Sequence, residues 1–346
     1  MLGLRRRRAG HRLVCMALLS IPAALMATTG RAQSTSAIGT AAQSPSAWRV
    51  QEDNGNFADW VPSRRRSDNN YVQGLRVRID TDSLFGWAAT AARFILRTPV
   101  DTAAGYDEPR TGHYELGQEI YTPPYRRTGS LPTDRPYAGW LYARIASDLL
   151  SDTRAQAVSL DAGVVGPPSL AGPVQNAFHA ITGSGPQIGG WAHQLQFEPG
   201  ADLRYDDSHL VGDWTMGGQR VMTLIPHWDV GVGNIHAGAD ASLATHIGYG
   251  LSHPWLASGV STTPIEIYVS AAVQGSWVWR NLFLDGSTFR PSPHVQKLPF
   301  TSQTEAGVGI RIQRVTLEYR GITQAREYAG GPAARQYGSL VAGMTW

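Results

Sequence analysis

Residues 264–281, PIEIYVSAAVQGSWVWRN, alternate without a break. Ile265, Ile267, Val269, Ala271, Val273, Gly275, Trp277 and Trp279 fall on one parity, and Glu266, Ser270, Gln274, Ser276 and Arg280 on the other. A strict period of two belongs to a strand with two different surroundings, because helical side chains repeat every 3.6 residues. A membrane-crossing strand needs about 9–11 residues, and this run exceeds that. Its two tryptophans sit near one end, where an interfacial aromatic girdle places them. The ending YGSLVAGMTW repeats the pattern: Leu340, Ala342, Met344 and Trp346 alternate with Ser339, Val341, Gly343 and Thr345. The polar parity is rich in small and charged residues. That composition suits a wet barrel lumen better than the solvent face of a soluble sandwich.

The same reading along the chain gives strands at 46–54, 70–80, 112–121, 137–148, 154–165, 190–205, 218–232, 236–250, 264–280, 303–313, 315–324 and 337–346. The expected fold is therefore an all-β, transmembrane antiparallel β-barrel of about 12 strands, an even number as closed bacterial barrels require. Residues 84–98, LFGWAATAARFILRT, read either as a helical insertion or as a further strand. Punctuated loops lie at 61–69, 122–136, 166–189 and 282–302. No internal repeat and no second domain is visible, so 45–346 reads as one barrel domain.

The N-terminus carries an address. Arg5 to Arg8 and Arg12 precede an apolar stretch from Val14 to Met26, too short to span a bilayer, and Gly30 and Ala32 suit a signal-peptidase site. Residues 1–32 read as a signal peptide and 33–44 as a flexible lead-in. Removing the segment takes six arginines from 30 basic residues and leaves 24 against 27 acidic ones, so the formal charge turns from +3 to −3. The basic isoelectric point is thus a property of the leader, and nucleic acid is not an expected partner. Cys15, the single cysteine, leaves with it, which excludes disulfides and thiolate chemistry. No apolar run after it is long enough for a transmembrane helix.

One stretch breaks the β pattern. GPVQNAFHAIT, residues 172–182, has helical spacing, with Pro173 suited to a first turn and Gln175 and His179 four apart on one face. Alone, an amide and an imidazole on a loop helix are ordinary surface groups.

TDRPYAGWLY (133–142), the Gly-Pro at 166–167 followed by Gln175 and His179, GWAHQLQFEPG (190–200) and NLFLDGSTF (281–289) run in one order. Together they resemble the outer-membrane lipid A deacylase family, lipid A 3′-O-deacylases, over nearly the whole mature chain. The resemblance implies a twelve-stranded barrel in the bacterial outer membrane, reached through the barrel-assembly machinery, with lipid A of lipopolysaccharide as substrate. It implies a mechanism like that of Ca²⁺-dependent phospholipase A2. A histidine takes a proton from water and bound Ca²⁺ stabilises the oxyanion. His179 matches the histidine, and Gln175 would orient it or contact substrate. The short helix would then hold the base against the inner wall of the barrel.

Two stretches depart from the family. Its first strand carries an Asn-Asp pair before a Phe, with the Asp on calcium; here the text is VQEDNGNF, 50–57. Trp48 and Val50 facing lipid would turn Asp53 into the lumen. Asp53 is therefore the expected ligand, with Asn54 beside it at the strand end and Glu52 and Glu198 as the next carboxylates. The family's Asp-Arg-x-Tyr-Thr-Asn-Gly run appears as SDNNYVQG, 67–74, with Val72 at the threonine, a loss of the hydroxyl. By parity Val72 would face inward with Arg76, Arg78 and Asp80. Asp134 and Arg135 read as structural. Three functions stay open: lipid A ester hydrolysis, a non-catalytic or porin-like barrel of the same family, and a Ca²⁺-dependent phospholipase.

Overall fold

The computed structural model describes residues 47–58, 70–81, 90, 111–123, 134–183, 188–255 and 263–346. Residues 1–32 and 33–44, read as a signal peptide and a lead-in, the loop 61–69 and all of 84–98 except Thr90 lie outside these residues. Among the described residues thirteen strands form one antiparallel sheet: β1 (Ala47–Asn54), β2 (Asn70–Thr81), β3 (Thr111–Thr122), β4 (Ala138–Leu150), β5 (Arg154–Val165), β6 (Glu198–His209), β7 (Gly212–Met216), β8 (Gln219–Gly233), β9 (His236–Tyr249), β10 (Ile265–Asn281), β11 (Phe300–Ile312), β12 (Val315–Ala325) and β13 (Ala334–Thr345). Neighbours in sequence are neighbours in the sheet, β1 pairs with β13, and β6 pairs with β8. Those two pairings close a twelve-stranded barrel, and β7 is a short hairpin partner of β8 outside the closure.

The alternation read in β10 is the inside–outside alternation of the wall. Ile267, Val269, Val273, Trp277 and Trp279 are exposed, while Glu266, Tyr268, Ser270 and Gln274 are buried in the lumen. Cross-strand register carries this assignment round the barrel, since directly paired residues point the same way.

The lumen is filled. At the end where β3 finishes and β4 begins, Tyr121, Trp140, Tyr142, Leu195, Ile235, Phe283, Ile322 and Tyr337 form an apolar plug. Leu282–Asp285, a single helical turn, brings Phe283 onto Tyr121, the rings stacked at 4.3 Å. Below the plug, ion pairs cross the lumen: Arg76–Asp53 at 3.1 Å, Arg311–Glu266 at 2.9 Å, and Arg320 to Glu305 and Glu318 at 3.5 and 3.4 Å. At the opposite end Trp255 packs with Leu150 and Ile225, and its Nε1 donates to the Ser151 carbonyl at 2.6 Å. Apolar plug and ion-pair lattice together are the interior of a packed barrel rather than a diffusion channel.

Candidate active site

One helix, α1 (Ala171–Thr182), stands on the barrel wall. The loop before it turns sharply. Gly166 takes φ 87°, Pro167–Ser169 make a 3₁₀ turn, and Leu170 caps the helix in the left-handed region. Gly183 ends it in the same region and donates its N–H to the His179 carbonyl at 2.9 Å, a common helix stop. The helix buries Ala171, Gly172, Gln175 and His179, and leaves Ile181 77% exposed. A surface helix normally buries its apolar stripe. This one buries the amide and the imidazole and turns an aliphatic side chain outward, as a helix bordered by lipid rather than water would.

Register places α1 on the outside of the wall. Asn54, Gln73, Ile120 and Gly139 pair in one row across β1 to β4. A Cβ at Gly139 would lie 2.2 Å from Ser169 Oγ and 2.3 Å from Ala171 Cβ, so the helix entry lies over this face. The next row runs Leu340, Glu52, Leu75, Gln118 and Leu141, and Leu340 is among the exposed outer residues. The expected inner-wall position is thus replaced by an outer one. Glycine at 139 is what lets the backbone of the helix entry approach the sheet. Gln118 Nε2 donates to the Ser169 carbonyl at 2.6 Å and fixes the approach.

Gln175 is oriented from the far side. The segment Gly189–His193 forms a 3₁₀ turn that presses Trp191 between Gly172 and Tyr137. Trp191 Nε1 donates to Gln175 Oε1 at 3.0 Å. An indole can only donate, so the amide oxygen is the group consumed. Gln175 Nε2 is left buried with no hydrogen-bond partner. An orphaned donor in a buried site is costly and calls for an acceptor from a ligand. Trp191 was not singled out in the sequence; its signal was the Gly-Gly-Trp run that breaks the strand pattern there.

On the wall beside α1 lies a polar patch. Glu52 and Asn54 of β1 and Gln73 of β2 all point outward. Asn54 Nδ2 lies 3.5 Å from Glu52 Oε1, Asn54 Oδ1 accepts from the Asn56 N–H at 2.9 Å, and the Gln73 amide also hydrogen-bonds the Glu52 carboxylate. A carboxylate on the lipid side of a barrel is unfavourable and by default marks function. The patch begins on the strand adjacent to the one α1 covers. Parity was the available signal: Trp48 and Val50 toward lipid put Glu52 and Asn54 on the same side.

Asp53 is on the other face. It is fully buried in the lumen, accepts from Gln51 Nε2 at 2.9 Å and pairs with Arg76 at 3.1 Å. The structure therefore groups His179, Gln175 and Asn54 on the outer side and separates Asp53 from them by the thickness of the sheet. The β2–β3 ladder slips between Tyr71 and Gln73, and the Val72 side chain, expected to face inward, is outside the described residues. Asp134, Arg135 and Glu198 tie loops. Asp134 Oδ1 accepts from the Arg135 N–H and Tyr328 hydroxyl, both at 2.8 Å. Arg135 pairs with Glu327 at 3.3 Å and lies over the Tyr121 ring, and Glu198 accepts from the Thr288 N–H at 3.0 Å. Burial pushes the Asp134 carboxyl above its ordinary range, against the pull of those two hydrogen bonds.

A closed antiparallel barrel with apolar residues outward and a loop helix seated on its lipid-facing wall defines an outer-membrane barrel with a wall-side site. The family model for outer membrane protein LpxR matches residues 13–346, and the chain belongs to that family. Among solved structures, LpxR from Salmonella typhimurium superposes with a TM-score of 0.69 at 16% identity, covering 87% of this chain and 100% of that one. The β domain of the Bordetella autotransporter BrkA matches at a TM-score of 0.39 and 10% identity, over 86% of this chain and 97% of that one. A comparison with curated protein sequences found no match. The family is the one the ordered motifs pointed to, and the chain is an outer-membrane protein.

Proposed function

We propose that the chain hydrolyses an acyl ester of lipid A at the outer face of its barrel wall, with His179 as general base. The observation that carries this reading is α1, which buries Gln175 and His179 against the lipid-facing wall and leaves Gln175 Nε2 without an acceptor. An ester entering sideways from the membrane meets these groups without passing through the plugged lumen. His179 would take a proton from water as the water oxygen attacks the acyl carbonyl. The imidazolium would return that proton to the departing sugar oxygen, so that a carboxylic acid and a free hydroxyl leave. Gln175 Nε2 would donate to a substrate oxygen, its direction set by Trp191.

The family resemblance brings Ca²⁺ with it, and the outer patch fits a hard cation: a carboxylate and two carboxamides offer oxygen donors. Glu52 and Gln73 would hold it, with Asn54 buttressing Glu52. Asp53 does not fit, because it faces the lumen and is paired with Arg76. Bound there, the ion would supply charge stabilisation for the ester oxyanion. A hard cation needs more ligands than these residues offer, so water and the substrate's own anionic oxygens complete the set.

The test is mass spectrometry of lipid A from cells expressing the chain, with millimolar Ca²⁺ and with chelator. Loss of one acyloxyacyl mass with Ca²⁺ is the expected result. If neither the native chain nor Val72→Thr releases any chain at millimolar Ca²⁺, the hydrolase reading fails and a non-catalytic barrel remains. Fatty acid released only from phospholipid vesicles would move the activity to a phospholipase.

A further inference from the structure

The lumen carries a second cluster, remote from α1. Asp206 of β6 pairs directly with Asp229 of β8, which pairs directly with Asp240 of β9. Like charges directly opposite on neighbouring strands are destabilising. Among the described residues, the guanidinium set against these three carboxylates is that of Arg204, paired with Asp229 and, at 3.4 Å, with Asp240. The next row is Ser208, His227 and Ser242. His227 Nδ1 lies 2.9 Å from Ser208 Oγ and its Nε2 3.3 Å from Asp229 Oδ2. Ligand atoms of Asp206, His227 and Asp229 all fall within 4.8 Å of one another. The Ser242 hydroxyl, opposite His227, is buried without a hydrogen-bond partner.

We propose that Asp206, His227 and Asp229 bind a divalent transition-metal ion inside the barrel, with zinc the first choice. Three observations point the same way. The aspartate ladder holds more negative charge than Arg204 neutralises. In the tautomer whose Nδ1–H is donated to Ser208, the Nε2 lone pair faces an Asp229 oxygen at 3.3 Å, the pair of donors a cation between them would bridge. Ser208 then acts as the outer partner that fixes a ligating imidazole. One imidazole with carboxylates favours zinc or manganese over calcium, which prefers oxygen alone. Three protein ligands leave a position for water or for the free Ser242 oxygen. The ion would staple β6 to β8, the pairing that closes the barrel past the β7 hairpin.

The experiment uses the full chain folded in detergent, stripped with chelator and dialysed against micromolar Zn²⁺ with millimolar Ca²⁺ to fill oxygen-only sites. Metal analysis should find one more equivalent of zinc in the native protein than in His227→Ala. Zinc should raise the native thermal midpoint and leave that of Asp206→Asn unmoved. In chelator the order should reverse: Asp206→Asn, which removes one like charge from the ladder, should melt above the native protein. Boiling-dependent migration on SDS gels checks that each variant is a folded barrel. An unchanged zinc stoichiometry in His227→Ala overturns the proposal. So does an Asp206→Asn barrel more stable than native with zinc as well as without it, since the row would then be a plain acidic ladder.

Discussion

The two faces of β1 can be set side by side. Inward, Asp53 is held by Gln51 and Arg76 within a lattice where most charges have a partner of opposite sign. Outward, one residue to either side, Glu52 and Asn54 sit on a wall that is otherwise largely apolar, next to a helix whose buried amide has a free donor. The inner face holds far more titratable groups, and Arg76, Arg311 and Arg320 are each paired there with a carboxylate. The outer face holds few, and one beside them on α1, Gln175 Nε2, is buried without an acceptor. Counting ionisable residues would therefore locate chemistry in the lumen. Asking which polar groups face lipid locates it on the wall.

Removing the base should give the largest effect. His179→Ala should lower lipid A hydrolysis by roughly 10²–10⁴-fold, the range for a lost general base. The barrel should still migrate anomalously on SDS gels until boiled, because the wall closes without α1. Activity equal to native in that variant would remove the outer face from the chemistry altogether.

Undocking the helix tests the same face without touching a polar group. Gly139→Ala places a methyl about 2.2 Å from Ser169 Oγ, closer than packed atoms tolerate, so the helix entry must shift. A displacement of about 1 Å can cost on the order of 10²-fold in rate. Turnover should fall toward that factor while urea unfolding of the barrel changes little. A loss of barrel stability matching the loss of rate would mean that α1 is part of the scaffold.

The third test divides the faces of β1 directly. Glu52→Gln should raise the Ca²⁺ concentration for half-maximal activity and leave unfolding unchanged. Asp53→Asn should do the reverse: normal Ca²⁺ dependence, with stability reduced by about 3 kcal/mol because Arg76 loses a buried partner. If Asp53→Asn shifts the Ca²⁺ response and Glu52→Gln does not, the ligand lies in the lumen and the outer patch is structural.

How much of this was legible before the structure follows from the same contrast. Twelve barrel strands could be read because inside and outside differ so sharply that parity survives along each strand, as β10 shows. The helix could be read from Pro173 and the four-residue spacing of Gln175 and His179. Its side of the wall could not, since a period of two does not say what covers a face; Gly139, the residue that decides it, looks like any strand glycine. Glu52 ranks behind Asp53 in the sequence although its parity with Trp48 and Val50 is plain, because a carboxylate toward lipid is unfavourable until a site explains it. Two errors had local causes. The strand expected from 190 begins at Glu198, because Trp191 must turn to reach Gln175 and Gly172. The β7 hairpin was missed although Gly217 and Gly218, at φ 60° and 76°, are the glycine pair that such a two-residue turn favours.

The smallest effect separates two imidazoles by surroundings. His253 lies at the lumen end opposite the plug, its Nε2 2.9 Å from the Asp152 carbonyl and its Nδ1 accepting from the Trp255 N–H at 3.4 Å. A carbonyl only accepts, so Nε2 carries the proton and Nδ1 is a lone pair: the ring is neutral. Burial lowers its pKa, more strongly than the Asp152 carbonyl raises it. A histidine whose folded pKa is depressed stabilises its contacts above the unfolded pKa, near 6.5, and loses that contribution as pH falls below it. Between pH 7.5 and 5.5, exchange of the Trp255 backbone amide, corrected for its intrinsic rate, should accelerate severalfold while the global unfolding midpoint stays put. His253→Gln should abolish that pH dependence and leave lipid A hydrolysis at the native level, in contrast to His179→Ala. Equal exchange at both pH values would show that the Trp255 contact does not depend on a neutral ring. A fall in hydrolysis in His253→Gln would tie the lumen end to the wall and break the separation of the two faces.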